Sequence, residues 1–179
     1  MSLYAKAMIA LGTVTLTVYL GMVVMGARHL LLGPDNLPPF DLRVLGYTFL
    51  DALNYLELLT EEQAAFYTGR LRQLDTVFPV LMGLLMGMGL WAVTSAMHPW
   101  SRLILLVVPS SYAVMDLCEN ALIAEMVAQG PETLDRDLVT LASTYTMSKY
   151  VTLFVAFALL LAMIVRHFGL FGLGARRTH

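Results

Sequence analysis

Three polar side chains with helical spacing interrupt an apolar stretch of the sequence. Asp116, Glu119 and Asn120 are separated by three and four positions, so in a helix they share one face, and Tyr112 lies one turn away. Two carboxyl groups a turn apart repel each other, so at least one must be protonated, paired with a cation or in contact with water. Such groups can hold a cationic or hydroxylated ligand, and one of them can serve as a general acid or base.

Lys149 is the basic residue best placed to balance these acids. It precedes the last long apolar run, from 150 to 165, and shares a helical face with Tyr145 and Thr152. Asp75 stands at the start of another apolar run and can join the group. The sequence thus predicts one polar cluster, made up of Asp116, Glu119, Asn120, Lys149, Tyr112 and Asp75.

The elements that must position this cluster are membrane helices. The chain has 179 residues and is 58% hydrophobic and 13% charged, whereas soluble domains have roughly 45–50% apolar and about 25% charged residues. The mean hydropathy is +0.71. Two uncharged runs, 7–27 and 76–97, are each long enough to cross a hydrocarbon core of about 30 Å. The first exceeds the roughly 7–15 apolar residues of a secretory signal, so we expect a membrane helix there.

The third and fourth spans contain the charges. The uncharged runs 103–115 and 150–165 have 13 and 16 residues, which is short of the roughly 20 that a spanning helix needs. The third span must therefore continue through Asp116 and Glu119, over about 103–128, and the fourth must begin before Lys149, over about 143–167. We predict an all-α integral membrane four-helix bundle that forms a single domain, residues 1–179.

The segment 28–75 is the only sizeable extramembrane piece. Thr48-x-x-Asp51 and Thr60-Glu61-Glu62-Gln63 are typical of helix starts, so we expect a cap of two short helices, the second leading into span two. Pro79 is placed in the first turn of that span. We predict a hairpin loop at residues 98–102 and an N-cap for the fourth helix at Thr133.

An even number of spans places both termini on the same side of the membrane. The two sides share the Lys and Arg residues evenly, but the flanks on the terminal side are shorter and therefore denser in charge, which favours a cytoplasmic location for the termini. The chain is then predicted to lie in a bacterial inner membrane. The terminal side holds Lys6, Arg102, Arg166, Arg176 and Arg177, and the other side holds Arg28, Arg43, Arg70, Arg72 and Arg136.

The sequence predicts neither a metal nor a cofactor. Cys118 is the single cysteine, and no two histidines have the spacing that haem ligation within a membrane requires. Metal binding at the acids is disfavoured by Lys149. A net charge of −2 gives no reason to expect a nucleic-acid partner. Gly83 and Gly87 have the G-x-x-x-G spacing that lets helices approach closely, either within the chain or, alternatively, in a homodimer or with another membrane protein.

Three short motifs together carry a resemblance to other proteins. Asp75-x-x-Phe78-Pro79, Asp116-x-x-Glu119-Asn120 and Thr146-x-x-Lys149 resemble uncharacterised small four-span bacterial membrane proteins with a D-x-x-E-N motif in the third helix. The resemblance covers roughly residues 40–165. It implies a four-span fold and no activity.

Two functions from different classes follow from the polar cluster. Ionisable groups inside a membrane cost roughly 2.5–3.5 kcal/mol each, so they are functional candidates by default, here as an outward-facing pocket for a small molecule or lipid headgroup. An enzyme acting on a bound lipid is a variant of that hypothesis. The alternative is an accessory subunit of a larger membrane complex, in which the charges only pair with each other or Lys149 extends to the interface.

Overall fold

The computed structural model describes residues 1–169, and most of them are helical. The α-helices are α1 (Leu3–His29), α2 (Phe49–Leu58), α3 (Glu61–Phe66), α4 (Arg72–Val93), α5 (Pro99–Gln129) and α6 (Arg136–Phe168). A short 3₁₀ turn, Phe40–Leu42, precedes α2, and a π-helical turn, Tyr67–Leu71, joins α3 to α4. Within the described residues the only β pairing is an isolated bridge between Leu32 and Leu37.

Four helices are long and apolar enough to cross a membrane. They are α1, the continuous helix Glu61–Val93 formed by α3, the π turn and α4, then α5 and α6. The prediction of an all-α, polytopic membrane bundle is confirmed. Helix α5 also passes through Asp116 and Glu119, as the length of its apolar run requires. Arg176 and Arg177, which the orientation hypothesis uses, lie outside the described residues.

The bundle is built around three closely packed helices, with α1 attached to one side. Helix α5 packs against both α4 and α6, whereas α1 packs chiefly on α4. A β-carbon added at Gly83 would lie 3.2 Å from the backbone oxygen of Pro109, and one at Gly87 would lie 3.6 Å from the side chain of Leu106. The two glycines therefore let α4 and α5 approach each other within the chain.

The connection between α4 and α5 differs from the predicted one. Helix α4 ends at Val93, four residues before the end of the predicted span, and α5 begins at Pro99 rather than at 103. The prediction of a hairpin loop at 98–102 was wrong, because most of that segment is the first turn of α5. His98 caps the helix by accepting a hydrogen bond from the backbone N–H of Trp100, and proline is favoured at the first helical position.

The start of α6 also differs from the prediction at Thr133. Helix α5 ends at Gln129 and is capped by Gly130, which has a positive φ of 68°. The Thr133 hydroxyl donates to the carbonyl of Gln129 at 2.7 Å. Thr133 therefore satisfies a carbonyl at the C-terminal end of α5 and does not cap α6. The N-cap of α6 is Asp135, whose carboxylate accepts from the backbone N–H of Asp137 at 2.7 Å.

A cap covers the end of the bundle opposite Met1 and the C-terminal end of α6, and we call this end the cap side. The predicted capping boxes at Thr48 and Thr60 are both present, so α2 and α3 begin where the sequence indicates. The cap is firmly attached: the backbone N–H of Tyr47 donates to the Ser143 hydroxyl of α6 at 2.9 Å. It also shares a buried core with α5 and α6, which includes Phe40, Tyr47, Tyr55, Ile123, Met126 and Val139.

Candidate functional site

An ion-pair cluster joins α5 to α6 in the interior of the bundle. Lys149 Nζ lies 3.3 Å from Asp116 Oδ1 and also pairs with Glu119 Oε2. The exposed fractions are 3% for Asp116, 0% for Glu119 and 6% for Lys149. The predicted pairing is thus present, and Lys149 does not extend to the membrane interface. Because one lysine contacts two acids, the cluster has more carboxyl groups than basic groups.

Thr146 is a fourth member of this cluster, which the sequence analysis named only in the Thr146-x-x-Lys149 motif and not among the cluster residues. Its hydroxyl donates to Glu119 Oε1 at 2.6 Å, and the residue is fully buried. Tyr145, which shares a helical face with Lys149 and Thr152, is only partly buried and makes no hydrogen bond to the acids within residues 1–169. The spacing signal for Thr146 was present, since it lies three residues before Lys149.

Asn120 connects α5 to α4 through a backbone group. Its side-chain amide donates to the carbonyl of Asp75 at 3.0 Å. That carbonyl has no partner within its own helix, because the residue four positions later is Pro79, which has no N–H. Pro79 was expected in the first turn of the span, but it lies well inside the continuous helix that starts at Glu61. Asn120 therefore satisfies a buried acceptor and does not touch the carboxyl groups.

The carboxyl group of Asp75 has no partner among residues 1–169. No hydrogen bond or ion pair reaches it from that part of the chain, although the residue is only 9% exposed. A buried, unpaired carboxyl group is costly, and such groups in membrane segments usually face a cavity. In this protein Asp75 does line a cavity.

The cavity has a volume of about 470 Å³ and lies in the cap-side half of the bundle. One wall is apolar and comes from α1, through Tyr19, Met22, Val23, Gly26 and Ala27. The polar groups of the lining come from the cap, α4, α5 and α6: Asp41, Asp75, Tyr112, Asp116, Lys149 and Tyr150. We call this space the cap-side cavity. Its volume falls within the range of about 300–1,000 Å³ that is usual for small-molecule sites.

The cap-side cavity opens where α1 and α6 are spread apart. Helix α1 packs chiefly on α4, and the cavity occupies the space between α1 and α6. The lining residues Tyr19 and Val23 are 47% and 45% exposed, and Leu42 at the cap edge is 54% exposed. The rim of the cavity is therefore apolar and exposed, as is typical of surfaces that contact a membrane.

The cap supplies one polar lining residue that sequence reasoning missed. Asp41 Oδ1 accepts a hydrogen bond from the Tyr67 hydroxyl at 2.7 Å, and the Asp41 backbone carbonyl accepts one from the Tyr150 hydroxyl at 2.8 Å. Tyr67 lies in the π-helical turn, a feature that often occurs at functional sites. These bonds attach the 3₁₀ turn of the cap to α6 and to the helix that carries Asp75.

The structure divides the six predicted site residues into two groups. Asp75, Tyr112, Asp116 and Lys149 line the cap-side cavity. Glu119 and Asn120 lie behind them, where Glu119 holds Lys149 and Asn120 holds the backbone of α4. Within residues 1–169, no three His, Cys, Asp or Glu side chains are arranged to hold a metal ion.

Comparisons with known proteins give no further assignment. No protein-family model matches the chain, and neither a curated protein nor a solved structure matches it significantly. Any functional conclusion therefore depends on the geometry of the site.

Proposed function

We propose that this membrane protein binds an amphiphilic small molecule or a lipid headgroup in the cap-side cavity. The observation that carries the proposal is the position of the polar cluster. Asp75, Asp116 and Lys149 line a cavity of about 470 Å³, instead of forming a closed ion pair surrounded only by packed side chains. A purely structural pair does not need an adjoining cavity.

The lining suits a ligand with one polar end. The α1 wall and Phe78, Met82 and Leu153 are apolar, whereas the carboxyl groups and Lys149 come from the cap, α4, α5 and α6. Pockets that bind small molecules commonly combine apolar walls with a few convergent polar groups. The polar end of a ligand would therefore lie at the acids, and its apolar part would lie along α1 towards the opening.

The orientation of the protein is part of the proposal. We place the termini in the cytoplasm of a bacterial cell and the cap on the outer side of its inner membrane. The support is the dense basic flanks on the terminal side. With this orientation the cap-side cavity opens to the outer leaflet, from which a ligand would enter.

The accessory-subunit hypothesis has less support from the packing. Assembly through Gly83 and Gly87 would require that face of α4 to be available, but it already faces Pro109 and Leu106 of α5. An apolar groove of about 510 Å³ remains beside these glycines, lined by Tyr4 and Trp91 among others. A homodimer or partner at that groove is still a prediction of the sequence.

Filling the cap-side cavity tests the proposal. Gly26 lines the cavity, and a β-carbon added there meets no atom within 4 Å, so the side chain of Gly26→Leu can extend from the backbone into the cavity. Gly21 is the matched control, because it lies on the same helix, is equally open and is not part of the lining. Protein in lipid nanodiscs is titrated with dodecyl amphiphiles that have neutral, anionic or cationic heads, and bound adducts are counted by native mass spectrometry.

The expected result is that Gly26→Leu weakens the binding of whichever dodecyl compound the wild type retains, by at least about tenfold. Gly21→Leu should bind like the wild type. Equal retention by all three proteins, or no retention by the wild type, would overturn the proposed function.

A further inference from the structure

We infer that the occupant of the cap-side cavity carries a cationic ammonium group and that Asp75 is its counter-ion. This inference rests on the proposed function and specifies the ligand class. It starts from the charges that face the cavity on every surrounding element. The cap contributes Asp41, α4 contributes Asp75, α5 contributes Asp116 and α6 contributes Lys149, with Glu119 directly behind Lys149.

The charge balance of the cavity favours a cation. Four carboxyl groups surround one ammonium group, and that ammonium already contacts two of them, Asp116 and Glu119. Asp41 has a neutral partner in the Tyr67 hydroxyl. An anionic ligand would have to approach these acids without a basic group to receive it, and like charges in a weakly solvated site repel strongly. A cation would instead give a carboxyl group that lacks a partner an opposite charge to pair with.

Asp75 is the group that a ligand cation would contact. Its side chain is about nine-tenths buried, lines the cavity and has no hydrogen-bond or ion-pair partner in residues 1–169. All other acids that line the cavity have a partner within the protein. A single unpaired carboxyl group in an apolar cavity is therefore the feature that a cationic ligand would satisfy.

The aromatic lining supports an ammonium group over other cations. Tyr19, Phe78, Tyr112 and Tyr150 line the cavity together with Asp75. The rings of Tyr19 and Phe78 also contact each other, with centroids 5.5 Å apart. Acids surrounded by aromatic faces recognise alkylammonium groups, because the ring quadrupole attracts a weakly hydrated cation. A hydrophilic metal ion would gain little from such walls.

The apolar wall of α1 and the opening towards lipid indicate that the ammonium group is attached to an alkyl chain. The same headgroup chemistry also occurs in free, water-soluble amines. An ammonium group on an alkyl chain and a free ammonium compound would make the same contact with Asp75. The experiment therefore includes one probe with a chain and one without.

The experiment uses the full chain in lipid nanodiscs and native mass spectrometry. The probes are dodecyltrimethylammonium, 1-dodecanol and dodecyl sulfate, which share a chain and differ in charge, and choline, which has the headgroup without the chain. The variants are Asp75→Asn, which keeps the size of the side chain and removes its charge, and Glu132→Gln as the control. Glu132 is exposed in the turn before α6 and is not part of the cavity.

We expect the wild type to prefer dodecyltrimethylammonium over 1-dodecanol by roughly tenfold to hundredfold, the ratio expected for one ion pair with cation–π contacts. Dodecyl sulfate should bind least. In Asp75→Asn the cation preference should disappear, while 1-dodecanol should bind as before. Glu132→Gln should behave like the wild type. Since Asp75→Asn replaces a buried carboxyl group that has no partner in residues 1–169 with a neutral amide, its unfolding temperature should be equal to or above that of the wild type.

The other possible results distinguish a failure of the ammonium inference from a failure of the proposed function. Binding of choline as tightly as dodecyltrimethylammonium would support the ammonium site and identify a free amine as its source. If 1-dodecanol binds as tightly as the cation and Gly26→Leu blocks both, the proposed function stands and the ammonium inference is overturned. An unchanged cation preference in Asp75→Asn would overturn it as well.

Discussion

The side-chain amide of Asn120 donates a 3.0 Å hydrogen bond to the backbone carbonyl of Asp75, the carbonyl that Pro79 leaves without an intrahelical partner. A proline inside a helix normally leaves one carbonyl exposed, and in a membrane nothing but protein can satisfy it. Here the residue that satisfies it belongs to the neighbouring helix. The bond therefore holds α4 against α5 next to the carboxyl group that faces the cap-side cavity.

This relationship predicts a strong coupling between Asn120 and Pro79. Replacing Asn120→Ala should lower the free energy of unfolding by about 1–3 kcal/mol, because a buried carbonyl loses its partner. In a Pro79→Ala background the new N–H can bond to the Asp75 carbonyl, so the same Asn120→Ala change should cost clearly less. A double-mutant cycle from chemical unfolding in detergent measures the difference. Equal costs in both backgrounds would show that Pro79 is not the reason for the bond.

Removal of Lys149 should destabilise the bundle. Lys149→Met leaves Asp116 and Glu119 buried without a counter-charge, and breaking a buried pair from one side typically costs about 3–5 kcal/mol. The triple variant with Asp116→Asn and Glu119→Gln removes the charges together, so it should recover most of that stability. Both are compared with the wild type by thermal unfolding in the same detergent. A triple variant that is less stable than Lys149→Met alone would contradict this prediction.

The hydroxyl of Thr146 should stabilise Glu119 specifically. Thr146→Val keeps the shape of the side chain but removes a hydrogen bond to a buried carboxyl group, and we expect a loss of about 1–3 kcal/mol. Thr146→Ser keeps the donor and should lose less than Thr146→Val. Unfolding in urea measures both variants. A serine variant that is as unstable as the valine variant would mean that methyl packing, and not the hydrogen bond, is the main contribution.

Gly46 should be required for docking of the cap. It has a φ of +77°, and a β-carbon added there would lie 2.6 Å from the Ser143 hydroxyl that binds the Tyr47 N–H. Gly46→Ala therefore introduces both backbone strain and a clash, and limited proteolysis should cleave the segment 30–60 faster than in the wild type. Gly69→Ala is the control, because a β-carbon there meets no atom within 4 Å. Similar cleavage rates for the two variants would contradict the prediction.

The first turn of α2 should loosen in acid. The Thr48 hydroxyl and the Thr48 backbone N–H donate to the Asp51 carboxylate, and they hold its pKa below the usual value of 3.8. Because the folded-state pKa is depressed, this contribution to stability is present above the unfolded-state pKa and is lost as the pH falls through the lower folded-state value. Pepsin cleavage within α2 should rise over that range in the wild type. Asp51→Asn should lack this rise, and an equal rise in both proteins would assign it to another group.

Local signals in the sequence predicted the elements well. Helix starts at Thr48 and Thr60 depend on residues three positions apart, so they can be recognised without knowledge of the fold. The charges in α5 and α6 could be placed inside the membrane because a spanning helix has a minimum length. The pairing of Lys149 with Asp116 and Glu119 could be predicted because a buried lysine or carboxylate without a partner of opposite charge is strongly destabilising.

The rotation of α6 about its axis could not be predicted, whereas the polar residues of α5 identified its inward face. In a membrane the lipid-facing and protein-facing sides of a helix are almost equally apolar, so hydropathy does not show which face of α6 points inward. Thr146 was not assigned to the polar cluster for this reason. The role of Asn120 depended on a proline in another helix, and the cavity depends on a gap between α1 and α6. Both are relationships between distant parts of the chain.

The separate origin of the two sides of the cap-side cavity has a consequence for how its selectivity could change. One apolar wall belongs to α1, a helix that packs chiefly on α4, while the acids belong to the cap, α4 and α5. If the cavity holds an amphiphile as proposed, substitutions at Gly26 or Ala27 should shorten the hydrocarbon length that it accepts without altering a charge. Substitutions at Asp75 should alter headgroup preference without changing that length. Tail length and head chemistry would then be two traits that mutation adjusts independently of each other.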